Sequence, residues 1–187
     1  MRATKLFPPL AIALSVMVAM LLESRIATPA TTTALITIGV WSAGTMTQTV
    51  VDASTRRLPL SISHLTAIVL AATTLLDTPS KVLSITTGAL AMTVVSLVLT
   101  RLTRGSLGRG DVHFSPMLGL VIGWSSPWPD LPAAVITMWL ITTVSGALVT
   151  LGGIALRRLN RGSTIPYGPF MALGTLIVMT SALGATP

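Results

Sequence analysis

Cysteine is absent from the 187-residue sequence, which excludes disulfides, thiolate zinc sites and cysteine nucleophiles. Charge is scarce: Asp, Glu, Lys and Arg make up 9% of the chain, against about 25% in a soluble domain, so an ordinary water-soluble globule is excluded. No stretch shows the alternating ten-residue pattern of an outer-membrane barrel. No phosphate loop is present either, because the glycines at 105, 108 and 110 are followed by no Gly-Lys-Ser/Thr. What remains is apolar: 51% of residues are hydrophobic and the mean hydropathy is +0.82, which also excludes an intrinsically disordered chain.

About 20 apolar residues make one membrane span, and seven apolar stretches can be marked, at 6–22, 30–51, 62–76, 82–100, 112–124, 131–156 and 165–183. Backbone groups must be satisfied internally in hydrocarbon, so these spans are expected to be helices. The expected fold is all-α: one polytopic transmembrane helix bundle of about seven spans, residues 1–187 forming a single membrane-embedded domain. The net charge of +7 is then a topology signal. Arg2, Lys5, Arg56, Arg57, Arg101, Arg104, Arg109, Arg157, Arg158 and Arg161 all fall on one side when the N-terminus is inside, leaving only Arg25 and Lys81 opposite. The positive-inside rule therefore predicts a cytoplasmic N-terminus. The inward basic face suits anionic lipid headgroups, so membrane lipids are expected partners and a nucleic-acid partner is not needed. Met1 to Lys5 followed by the first apolar run also fits a cleavable signal peptide, and either reading leaves the later loops facing the same way. Trp124 and Trp128 are expected as interfacial anchors, and Trp41 and Trp139 as filling within the bundle.

The acids are few enough to consider singly. Asp52 ends the second span in VVDASTRRLP and Asp111 opens the fifth in LGRGDVHFSP. Two whole spans separate them, so the chain returns to the same face before the second carboxylate. Acids at a membrane are costly, and function is the default hypothesis. Two carboxylates brought together share one proton. The ionised partner can then draw a proton from water while the protonated one hydrogen-bonds an amide carbonyl, the arrangement used by aspartic proteases without metal or cofactor. Simpler readings stand beside this: Asp111 as a helix N-cap, Asp52 with Arg56 as a solvated i, i+4 pair, Gly108 and Gly110 as a turn. His64 and His113 lie near the same face, and two histidines alone do not make a metal site.

The segment GRGDVHFSPMLGLVIGW resembles the GxGD segment of the type IV prepilin peptidases, membrane aspartyl proteases that remove leader peptides from pilins and pseudopilins. DASTRRLP at 52–59 is similar to that family's first-aspartate segment, and IPYGPFMALG at 165–174 to its closing helix. The resemblance implies a catalytic dyad of Asp52 and Asp111, with Gly108 and Gly110 shaping the loop before the second acid. It also implies no cofactor, and a prepilin or pseudopilin substrate with a basic leader ending in Gly, cut at the cytoplasmic face of the inner membrane. The sequence departs from longer relatives in lacking their four-cysteine portion, so a methyltransferase activity is unsupported. His113 stands where relatives often carry Lys, and Val51 where the presenilin-type branch carries Tyr.

The fifth span is thirteen residues long, about 20 Å, which predicts tilted neighbours, local thinning or a wet recess at its end. Gly119 with Gly123, and Gly39 with Ala43, have the small-xxx-small spacing that lets helices pack closely, and the two aspartate-bearing helices are expected to use it on each other. Two other function classes remain open: a small ion-coupled transporter, which would place its acids at mid-membrane on broken helices, and a noncatalytic pilus assembly factor.

Overall fold

The computed structural model describes residues 32–55, 60–103, 107–157 and 165–185. The expected first span at 6–22, the Arg56–Arg57 pair, Arg104, Arg158 and Arg161 lie outside the described residues. Six helices follow in chain order: α1 Thr32–Thr55, α2 Leu60–Asp77, α3 Val82–Leu102, α4 Arg109–Ser125, α5 Leu131–Ala155 and α6 Gly168–Ala185. Each corresponds to one expected apolar stretch, and no strand occurs among the described residues. Among the described residues, four stretches are long and apolar enough to cross a membrane, Thr32–Asp52, Leu60–Asp77, Pro79–Leu102 and Trp128–Ala155, and Gly168–Gly184 is a shorter apolar helix.

These helices are rich in Thr and Ser, which would ordinarily be expensive in hydrocarbon. Many of their hydroxyls are consumed locally, as in Thr74 Oγ1 to the Leu70 carbonyl (2.7 Å), Thr93 to Ala89 (2.7 Å) and Thr142 to Met138 (2.8 Å). Back-bonding of this kind hides the polar group within its own helix. Large aliphatic side chains such as Leu65, Ile68, Leu90, Ile136 and Leu148 instead stand on the outer surface, the reverse of a soluble bundle and the arrangement a lipid solvent favours.

Helix α4 is the exception. From Met117 to Ser125 every residue is buried, because α2, α3 and α6 pack around it. Its 17 residues span about 25 Å. The helix is longer than the thirteen apolar residues expected because Arg109 to Asp111 form a polar first turn and Ser125 extends its far end. The glycine pair is also reassigned. A Cβ on Gly119 would come within 2.7 Å of the Ala89 Cα, and one on Gly123 within 2.8 Å of the Ile85 Cα, while Gly39 has nothing within 4 Å. The GxxxG face of α4 therefore receives α3, backbone against backbone, and not the helix that carries Asp52.

The two tryptophans expected as anchors differ. Trp128 is 50% exposed, but Trp124 is only 5% exposed, and its indole N–H donates to Asp77 Oδ2 at 2.9 Å. Trp41 and Trp139 are buried, as bundle filling requires.

Candidate active site

Asp52 lies in the last turns of α1 and Asp111 is the third residue of α4; with α2 and α3 between them, both arrive at the same end of the bundle. They are 5% and 6% exposed. The two carboxylates are near enough that the charge on Asp52 acts on Asp111. The carriers α1 and α4 are registered chiefly through shared neighbours, since both pack on α2 and on α6.

Each carboxylate is held by a glycine N–H. The Gly108 amide donates to Asp111 Oδ2 at 3.0 Å, while the Asp111 amide donates back to the Gly108 carbonyl at 3.1 Å. Gly108 is thus the N-cap and Asp111 stands at N3, reaching back to the cap as the acid of a capping box does. This corrects the N-cap reading of Asp111 and places Gly110 in the first turn of the helix, not in the loop before it. The second contact comes from 116 residues away: the Gly168 amide donates to Asp52 Oδ2 at 3.0 Å. Gly168 opens α6 and is followed by Pro169, whose fixed φ suits a first helical turn and needs no donor. The approach is close. A Cβ on Gly168 would lie 2.8 Å from Asp52 Oδ2, so a side chain there would push the Asp52 carboxylate away from its present position. Among the described residues, neither Asp52 nor Asp111 accepts any hydrogen bond beyond these, which leaves one oxygen of each carboxylate uncommitted.

One turn below Asp52 on the same face of α1, Gln48 is fully buried. Its Oε1 accepts the Ser63 hydroxyl of α2, and its Nε2 donates to the Met117 sulfur of α4 at 3.4 Å. A single amide thus ties the Asp52 helix to α2 and to α4. Nearer the surface, His64 Nε2 and His113 Nδ1 are 3.3 Å apart, an exposed contact joining α2 to α4. Among the described residues, no group of three or more His, Cys, Asp or Glu is placed to hold a metal ion. Sequence reasoning missed Gly168 and Gln48 as site residues. The Gly-Pro step opening an apolar helix and a lone amide within a span were the available signals.

The family model described as the type IV leader peptidase family matches residues 38–154, more than half of the chain and both aspartates. The chain belongs to the type IV leader peptidase family. No curated protein and no solved structure matches it. As a member of this peptidase family with several membrane-length apolar helices, it is a multi-pass membrane protein. The family match ends before Gly168, so the contact made by α6 is an observation on this chain alone.

Proposed function

We propose that the chain is a membrane aspartyl endopeptidase that cuts the basic leader from prepilins or pseudopilins, with Asp52 and Asp111 as its dyad. The observation that carries this reading is that two buried carboxylates from distant parts of the chain stand at the same end of the bundle, each held by one glycine N–H and each with an oxygen to spare.

In the proposed reaction, a water between the free oxygens gives a proton to the ionised aspartate and its oxygen bonds to the scissile carbonyl carbon. The protonated aspartate meanwhile donates to the carbonyl oxygen. Collapse of the tetrahedral intermediate breaks the C–N bond, with a proton delivered to the leaving nitrogen, so that one water and one peptide bond yield a carboxylate and an amine. The glycine N–H groups hold the inner oxygen of each acid and turn the outer one toward the substrate. We place the dyad at the cytoplasmic face of the inner membrane, with the N-terminus inside and about seven spans, on the distribution of Lys and Arg. A leader junction lies at that surface.

Co-expression with a prepilin, read by the gel shift on leader removal, tests the reading. Wild type converts the precursor, while Asp52→Asn and Asp111→Asn, accumulating normally, leave it uncut. Processing at the wild-type rate by either variant overturns the dyad, and a reporter placed after Thr103 that reads periplasmic overturns the orientation.

A further inference from the structure

The chain has two histidines and no cysteine, and the fold brings the two imidazoles together. His64 lies in the second turn of α2 and His113 in the second turn of α4. Across 49 positions of sequence, His64 Nε2 and His113 Nδ1 come within 3.3 Å, the rings edge to face at 79° with centroids 5.3 Å apart. Both side chains are exposed, so a dissolved ion can reach the facing nitrogens.

We propose that this pair binds one exchangeable divalent transition-metal ion, of the Zn²⁺, Ni²⁺ or Cu²⁺ class, which clamps α2 to α4 next to the dyad. The site stands apart from the hydrolytic reading, since no atom of either aspartate takes part.

The separation fits a chelate. Two Zn–N bonds of about 2.1 Å at the tetrahedral angle put their nitrogens about 3.4 Å apart. The ligand type selects the ion: imidazole suits zinc, copper and nickel, whereas magnesium and calcium take oxygen ligands. A hydrogen bond between the rings would use the same distance with a proton on one facing nitrogen. Moving that proton to the far nitrogen of the same ring leaves both facing nitrogens as lone-pair donors and both rings neutral, with no co-reactant. Histidine χ2 is a broad torsion, so exposed rings can turn both lone pairs to a common point.

Two imidazoles fall short of the four protein ligands of a structural zinc site, and no third His, Asp or Glu joins them among the described residues. Water fills the remaining positions, which makes the ion exchangeable. Arg109, exposed and one turn before His113 on α4, opposes a cation and keeps the affinity modest. His113 follows Asp111 by two residues, so the clamp bears on the turn that carries the acid.

The test uses the full chain, purified without a histidine tag, in detergent. Titrated with Cu²⁺, it should bind one ion whose electron paramagnetic resonance spectrum shows two nitrogen ligands. Zn²⁺ at about 0.1 mM should raise the melting temperature by about 2–4 °C and slow amide exchange across residues 111–115 severalfold, while Mg²⁺ does neither. His64→Ala and His113→Ala should each lose the two-nitrogen spectrum and weaken Cu²⁺ binding at least tenfold, with melting curves in the absence of metal showing that they fold. His113→Gln, a polar replacement of similar size, should lose the ion as His113→Ala does. A two-nitrogen spectrum or undiminished affinity in these variants overturns the clamp, and so does an equal response to Mg²⁺. Asp52→Asn should bind Cu²⁺ as wild type does; loss of the ion there places it on the carboxylates and also overturns the clamp. No arm reads proteolysis, so failure here leaves the dyad standing, and an inactive dyad leaves the clamp standing.

Discussion

The bundle holds acids at both ends, buried at one and half-buried at the other, and the two ends treat them differently. At one end Asp77 accepts from Thr33 Oγ1 at 2.9 Å, the Trp124 indole at 2.9 Å and Thr78 Oγ1 at 3.1 Å, so both of its oxygens are engaged. Lys81 completes this clasp by donating to the Trp124 carbonyl at 2.9 Å. At the other end Asp52 and Asp111 each accept one backbone N–H among the described residues and face each other's charge. Saturation makes a carboxylate a strut, inert and stabilising. On the proposed function, an oxygen left unspent in a confined place is kept available for reaction, at a cost in stability that the rest of the bundle must offset.

The comparison can be broken most forcefully at the dyad. Asp52→Asn or Asp111→Asn should lower kcat by about 10³-fold or more, the scale of lost general acid–base catalysis, without lowering the melting temperature; a fall in stability like that of a lost strut would place the dyad in the same class as Asp77. Gly168→Ala should reduce kcat by about 10- to 100-fold, because the added methyl would sit 2.8 Å from Asp52 Oδ2 and a displacement near 1 Å costs on that scale. Unchanged kcat for Gly168→Ala would show that this glycine does not aim the acid. Asp77→Ala should do the opposite, costing about 2 kcal/mol of stability by stranding a buried indole donor while each folded molecule keeps its turnover. Denaturant titration alongside single-turnover assays checks both halves. His64→Ala, removing one partner of an exposed contact, should cost at most about 1 kcal/mol, and a larger loss would mean that the two histidines form a strut of their own.

Much of this was legible in the residues. Hydropathy marks all six described helices, and counting crossings brings Asp52 and Asp111 to one end of the bundle. Partner choice was not legible. The spacing of Gly119 and Gly123 identifies a face that a backbone can approach, but not whose, and that face went to α3. Trp124 reads as an interfacial anchor until Asp77, 47 positions earlier in the chain, supplies its acceptor. Gly168 escaped for the same reason: its amide finds Asp52 across 116 residues, a relation that no local pattern encodes. Hydropathy marks only the thirteen apolar residues of α4, since a window of hydropathy does not include the polar first turn or reveal that the helix is surrounded by protein.

That enclosure bears on how the molecule is made. A short segment beginning Arg-Gly-Asp-Val-His is a poor candidate for partitioning into a bilayer unaided, given the penalty on each ionised residue during insertion. Its place is prepared by α3, which precedes it and offers Gly88 and Ala89 as a seat for Gly119. The pair is thus suited to enter as a hairpin, and Asp111 reaches Asp52 only after the surrounding helices have assembled. An immature chain would on this account hold its two acids apart, with peptide-cutting chemistry arising as the last event of its own biogenesis.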